Sequence, residues 1–292
     1  MDKSIVERIV EIWKLAAPPI RPSMNTMSLY RSHLPGGTGW SGFVQGATPE
    51  VVDMMISNGA SRVVSMDLSR EVIEAMRILA SENWSSVETI VDDWCNYRPD
   101  FERSFDIIIS DGGGLFLPFP DGWRRLYEVT IRYLAKGGTT MFRVYTVSDD
   151  APAFRQYYEQ ALERFDRESA GRSPEEQAEM SVSLTSELKC AAFFRAVDSQ
   201  GKIILDHIAE SVSFMREDLK RRYPGGTMGR VVDAICSGSS SVEHQGAMIV
   251  AAPKYNLIRP LLESIGFKVG MEPVDEPPEG GVSFVVIATR TE

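Results

Sequence analysis

Apolar and polar positions along this 292-residue chain change period in an orderly way. In "DKSIVERIVEIWKLA" the apolar residues fall three and four apart, which predicts an amphipathic helix. Prolines in "APPIRPS" end it, and Ser23 stands where it would cap a second helix running to about His33. A strand, "GWSGFVQG", follows. Short β-branched runs then alternate with helical periods: helix 49–57, strand "SRVVSMD", helix 69–82, strand "VETIVDD", strand "FDIIISDGGG", helix 121–134 and strand "GGTTMFRVYT". This alternation predicts an α/β fold, a doubly wound and mostly parallel sheet with helices on both faces. The near-continuous apolar cores "RVVSM", "FDIII" and "TTMFRV" are those of strands covered on both sides.

The alternation stops at about residue 148. Residues 149–223 read as three successive helices, followed by the Gly/Ser-rich link "CSGSSSVEHQG" and a further helix, "APKYNLIRPLLESIGF". The last segments, "KVGMEPV" and "VSFVVIATRT", flank the turn-rich "DEPPEGG" and predict an antiparallel pair. The expected division is N-terminal helices over 1–39, a core over 40–148, a helical cap inserted over 149–245, and completion of the core sheet by 246–292.

Composition narrows the function classes. Hydrophobic residues make up 43% of the chain, enough for a substantial core, and no run of about 18 apolar residues occurs. The first helix carries acids that a signal or transit peptide would avoid, so a soluble cytoplasmic protein is expected. A formal charge of −10 repels phosphate backbones. "LKRRYP" reads as a solvated helix end, so neither nucleic acid nor membrane is an expected partner; a small molecule is, and a homodimer is left open. Cys95, Cys190 and Cys236 are far apart and form no Cys-x-x-Cys pair, so they read as buried thiols, with no disulfide framework and no metal site.

Candidate chemistry gathers at the predicted strand ends, where open parallel sheets bind ligands. "GATPE" turns the first strand into a helix, with Pro49 in the first turn, where its missing N–H costs nothing, and Glu50 at the positive end of the helix dipole. Glu50 either caps that helix or meets a cationic ligand. Asp67 lies 21 positions after Gly46, near the spacing at which an acid grips ribose hydroxyls, and with Ser69 it also reads as a helix cap. Asp92 and Asp93 beside Trp94 offer a carboxylate for an exocyclic amine against an aromatic wall, or else a solvated turn. In "SDGGG" the glycines permit close backbone approach of a ligand, or simply make a turn.

Taken together these strand ends resemble the class I methyltransferases that use S-adenosylmethionine, over residues 40–147 and 250–290, which implies a Rossmann-like sheet with an antiparallel last strand. The resemblance implies that Gly46, Thr48 and Glu50 face the methionyl part of S-adenosylmethionine, with Arg21 on its carboxylate. It further implies Asp67 and Leu68 at the ribose, Asp92, Asp93 and Trp94 at the adenine, and Asp111, Gly112 and Gly113 at the reaction face. Arg143 and Tyr145, at the end of the fifth strand, would meet an acceptor's carboxylate and hydroxyl and make the catalytic set with Asp111, or else pack at the sheet edge. The first loop departs from the family's Gly-x-Gly-x-Gly pattern by holding one glycine, which implies that Glu50 and helix-end N–H groups replace bare backbone.

Tyr157 and Tyr158 would roof the site or fill a core, and His207 and His244 are candidate bases of a residue type that is more often structural. The expected activity is methyl transfer to a small molecule, in secondary metabolism, beneath a helical lid. Two further chemistries suit the same fold: cyclisation of S-adenosylmethionine to azetidine-2-carboxylate and methylthioadenosine, and aminocarboxypropyl transfer. A non-catalytic S-adenosylmethionine-binding protein is a separate alternative. A dinucleotide oxidoreductase fits less well, because one glycine seats a pyrophosphate poorly.

Overall fold

The element that sets the architecture is β1, Ser41–Gln45, which pairs in parallel with β2, Arg62–Asp67, on one side and with β4, Phe105–Asp111, on the other. The structure is a computed structural model that describes residues 4–16, 18, 21–147, 153–199, 201–223, 251–274 and 281–291. The link over 236–246 and most of "DEPPEGG" lie outside the described residues, as do Cys236, His244 and the expected boundary at 245.

The sheet is completed by β3, Glu88–Val91, β5, Leu134–Val147, β6, Phe267–Val274, and β7, Gly281–Arg290, in the order β3-β2-β1-β4-β5-β7-β6. Strands β1 to β5 run parallel, and β7 runs antiparallel to both β5 and β6. The expected doubly wound sheet with one reversed strand is therefore present.

Helices α3, Pro49–Ser57, α4, Arg70–Leu79, and α5, Asp121–Tyr133, make the crossovers, and α9, Tyr255–Ile265, precedes the final pair. Their placement divides the core into two layers. On one face Phe43, Phe105, Ile108 and Phe142 pack against Trp123, Tyr127 and Tyr133 of α5 and Leu262 of α9. On the other, Val44, Ile107, Ile109 and Met141 pack against Val51, Val52 and Met55 of α3. This alternation along β1 and β4 is the period of two that lets one strand serve both layers. Each large apolar side chain so buried contributes about 1.5–3 kcal/mol.

The N-terminal helices α1, Ile5–Leu15, and α2, Met24–Ser32, join the second layer, with Ile9, Trp13, Met27 and Tyr30 packed into it. A capping box between Ser4 and Glu7 starts α1, and Ser23 caps α2 through the Thr26 N–H. The inserted helices are α6, Phe154–Ser169, α7, Pro174–Arg195, and α8, Leu205–Arg222. They hold a core of their own, built on Tyr157, Tyr158, Leu188, Met215 and Leu219. Tyr157 and Tyr158 thus fill that core, hydrogen-bonded to Glu187 and Asp218. The end of α7 meets the sheet through Phe194, which stacks on Tyr145 of β5 with ring centroids 4.9 Å apart.

Candidate active site

At the carboxyl edge of the sheet, parallel register brings together residues distant in sequence. The β1–β2 ladder ends at Gln45↔Met66, so the turn at Gly46 and the acid at Asp67 leave adjacent strands at one level. The β4–β5 ladder ends on Asp111↔Arg143. Between these ends lies a cavity of about 310 Å³.

Nine of the residues singled out in the sequence line it: Gly46, Thr48, Asp67, Trp94, Asp111, Gly112, Gly113, Arg143 and Tyr145. Gly46 adopts φ +121°, a conformation that strains any side chain, while its N–H donates to Met66 O at 2.7 Å. Thr48 is the N-cap of α3 but makes no side-chain capping bond. Trp94 is fixed by donation from its Nε1 to Met66 O at 2.6 Å and forms a flat wall. Gly112 is left-handed at φ +78°, and a Cβ on Gly113 would overlap Ser110 Oγ and the Trp94 ring. The loop at 112–113 therefore lies flat against its surroundings, which only glycine allows.

Asp67 Oδ1 accepts from the Ser69 N–H at 2.9 Å, and Ser69 itself caps α4. Asp67 thus steadies the helix start, as one of its two sequence readings expects, and it also lines the cavity. Burial raises its carboxyl above the ordinary range, opposed by the backbone N–H groups of Ser69 and Leu68.

Asp111 and Arg143 are joined as a bidentate pair, Nε to Oδ1 and Nη2 to Oδ2, both at 2.9 Å. Tyr30 donates to Asp111 Oδ1 at 3.0 Å, and burial followed by the Asp111 charge holds its phenol well above the ordinary value, so it stays a donor. Arg143 Nη1 also donates to Arg21 O at 3.1 Å and to the Tyr145 hydroxyl. The charge of Arg143 is thus met by Asp111, and what faces the cavity is a net-neutral pair carrying the Tyr145 hydroxyl.

Five expected site residues do not line the cavity. Leu68 is exposed. Asp92 Oδ1 accepts from Asn96 and from the Asp93 N–H, and its other oxygen pairs with Arg98 at 3.2 Å; Asp93 accepts from the Cys95 N–H. These bonds hold both aspartates in the turn after β3, the structural alternative noted from sequence. Arg21 Nε donates to Glu50 Oε1 at 2.8 Å, so these two face each other beside the cavity. Glu50 Oε1 also accepts from Trp13 Nε1 at 3.3 Å, while its Oε2 is buried without a partner among the described residues. His207 is exposed on α8, away from the cavity lining. Cys95 is buried, its thiol pushed up to about 11 by burial and by Asp93.

The remaining lining was missed in the sequence. Trp13 reaches the cavity from α1, Phe194 from α7, and Leu115 and Phe116 from the turn after β4. Gln45 is the last residue of β1, and Val72 and Met76 belong to α4. Gln45 did leave a signal, as a polar residue between an apolar strand and a glycine. Trp13 and Phe194 left none, since aromatics on apolar helix faces are usually core.

No protein-family model and no curated protein matches the sequence. Solved structures do share the architecture. An S-adenosylmethionine-dependent methyltransferase from Mesorhizobium loti aligns at TM-score 0.50 and 14% identity, over 90% of this chain and 96% of that one. A chain from the complex between a Haloferax volcanii methyltransferase activator and a methyltransferase aligns at TM-score 0.52 and 11% identity, over 100% of both chains. A Rhodobacter sphaeroides protein named for Zn-dependent alcohol dehydrogenases aligns at 0.58 and 12% identity, over 98% of this chain and 97% of that one. Identities this low speak to the fold alone, and the third name illustrates that one fold carries several chemistries. The chain has a Rossmann-like fold, a mostly parallel sheet with the antiparallel last strand that its resemblance implied. Among the described residues, no helix is long and apolar enough to cross a membrane.

Proposed function

We propose that the protein is an S-adenosylmethionine-dependent methyltransferase acting on a small molecule. The observation that carries this reading is the composition of one cavity at the strand ends: Asp67, the Trp94 wall, the glycine cradle at 112–113 and the Tyr145 hydroxyl all line it. The donor set fits the ligand. Asp67 is an acceptor for ribose hydroxyls, Trp94 offers a face to a purine, and the Glu50 carboxylate, whose Oε2 has no partner among the described residues, suits an ammonium. Arg21, paired with Glu50, is matched to a carboxylate.

S-adenosylmethionine, when bound, supplies an electrophilic methyl carbon on a sulfonium. The chain's own part is alignment, exclusion of water and handling of the acceptor's proton. Trp13 and Phe194 wall the cavity from α1 and α7, and their aromatic faces attract a cation. Tyr145, oriented by Arg143, is the hydroxyl to hydrogen-bond the acceptor's nucleophile; Asp111 acts through Arg143 as a positioning residue. The inserted helices act as a lid through Phe194.

One observation favours a second reading. A cavity of about 310 Å³ lies at the low end of the usual range for ligand sites, about 300–1,000 Å³. It suits one ligand better than two, which is what intramolecular cyclisation of S-adenosylmethionine requires. Incubation of the pure protein with S-adenosylmethionine alone, read by mass spectrometry, separates the two. The methyltransferase gives S-adenosylhomocysteine only when an acceptor is added; methylthioadenosine formed without an acceptor establishes the cyclising reading instead.

A further inference from the structure

We infer that Trp13, on the N-terminal helix, is a specificity-determining residue that makes the cavity prefer ligands carrying a cationic arm over the bare nucleoside. The inference rests on the S-adenosylmethionine reading above and adds to it the residue that reads the ligand's charge.

Spacing along α1 puts the ring there. Ile9 and Trp13 lie four apart and pack against the layer of α3 and α4, with Val10 buried beside them, while Ile5 and Ile12 stay exposed. The inner face of α1 thus ends in an indole that lines the cavity and is itself only half-buried. Phe194 and Tyr145 also line the cavity, but they stack on each other and are 2% and 4% exposed. Of these three rings, Trp13 offers a ligand the most open surface.

The indole is oriented and polarised by its neighbours. Its Nε1 donates to Glu50 Oε1 at 3.3 Å, and a ring N–H bonded to a carboxylate leaves the ring more electron-rich. One cation already lies near it: Arg21 Cζ is 6.0 Å from the ring centroid, and Arg21 Nη1 donates to Trp13 O at 3.5 Å. That guanidinium is paired with Glu50 at 2.8 Å, so it does not strongly oppose a second cation. The Asp111–Arg143 pair is also net neutral, and Asp67 adds an acid to the lining. A ligand cation within about 6 Å of the indole face is then attracted by the ring's quadrupole.

Trp94 leaves this role to Trp13. It packs with the α5 layer and lies against Gly46 and Gly113, whereas Trp13 packs with the α3 layer and bonds to Glu50. Two indoles thus wall the cavity from opposite faces of the sheet, Trp94 for the nucleobase and Trp13 for the arm.

The test is calorimetric titration with S-adenosylmethionine, S-adenosylhomocysteine and adenosine, beside the melting temperature of the ligand-free protein. Trp13→Leu keeps an apolar wall and removes the aromatic face. Affinity for S-adenosylmethionine should fall about five- to tenfold, while that for adenosine changes by less than about twofold. Trp13→Phe keeps a smaller ring without the Glu50 bond; it should fall between wild type and Trp13→Leu, and it serves alone if Trp13→Leu does not fold. S-adenosylhomocysteine keeps the ammonium and has a neutral sulfur, so it tells which cation is read: unchanged affinity marks the sulfonium, and a loss equal to that of S-adenosylmethionine marks the ammonium. Adenosine weakened as much as S-adenosylmethionine, unchanged affinity for S-adenosylmethionine in a folded variant, or a Phe variant as weak as the Leu variant overturns the inference. A wild-type protein that binds none of the three overturns the proposed function itself.

Discussion

Arg143 and Asp111 are register partners at the ends of β5 and β4, and their side chains close on each other through two 2.9 Å bonds with each about 1% exposed. Parallel pairing brings their backbones together, and the planar guanidinium then matches the carboxylate in a bidentate fork. The pair spans the boundary between framework and site. Tyr30 and the Arg21 carbonyl bind its outer side, and the Tyr145 hydroxyl binds its inner side.

Breaking that pair from one side should be severe. Arg143→Met leaves the Asp111 carboxylate buried without its guanidinium, and removal of one member of a buried pair costs about 3–5 kcal/mol. The double variant Asp111→Leu, Arg143→Met should recover much of that loss, since no charge is then stranded. Thermal melts of the wild type, the single variants and the double variant measure this; single variants as stable as the wild type would show that the pair is open to solvent.

Glu50 tests the departure from a glycine-rich first loop. Its Oε1 is held by Arg21 and Trp13, and its Oε2 has no partner among the described residues. Glu50→Gln keeps the shape and removes the charge. The ligand-free melting temperature should fall only slightly, as partly exposed ion pairs contribute about 0–1 kcal/mol. Affinity for S-adenosylmethionine should fall about tenfold, roughly 1.4 kcal/mol. A large loss of stability with unchanged affinity would leave Glu50 as a helix-start residue.

The site was legible in the sequence where local chemistry decides it. Pro49 at a first helical turn, Gly46 at the end of an apolar strand and Asp67 at the end of the next each carry their signal within a few residues, and the core strands lie over the short β-branched runs that predict them. Asp92 and Asp93 show the limit of such reading. Their composition suits a ligand, but Asn96, Arg98 and nearby backbone N–H groups take up the carboxylates. The residues that close the cavity depend on contacts across long separations. Tyr30 bonds Asp111 81 positions away, and Phe194 finds Tyr145 through an inserted three-helix unit. Nothing local announces such a partner.

The inserted helices should behave as a lid. Phe194 on Tyr145 is the contact by which α7 reaches the cavity. Hydrogen exchange over 153–223 should slow when S-adenosylhomocysteine binds, most strongly near the end of α7, and Phe194→Ala should diminish the effect. Equal protection with and without ligand would make the insertion ordinary framework.

Asp67 gives a pH signature. Burial raises its folded carboxyl above the ordinary value, so the folded state binds this proton more tightly than the unfolded state does. Its contribution to stability is therefore full below the ordinary carboxylate range and is lost as pH rises through the raised value. Asp67→Asn should melt above the wild type at pH 7 and no higher than it near pH 3. A variant that melts lower at pH 7 would mean that the carboxylate's bonds to Ser69 and Leu68 outweigh its burial.

The central claim, that this cavity is an S-adenosylmethionine site, is met most directly by calorimetric titration of the wild type and of Asp67→Ala with S-adenosylmethionine and S-adenosylhomocysteine. The account predicts saturable one-site binding of both ligands to the wild type. It also predicts weakening by at least tenfold in a folded Asp67→Ala, because charge-assisted bonds to ribose hydroxyls contribute about 1.5–3 kcal/mol each. Absence of saturable binding to the wild type at millimolar ligand, or equal affinity in the folded variant, would contradict it.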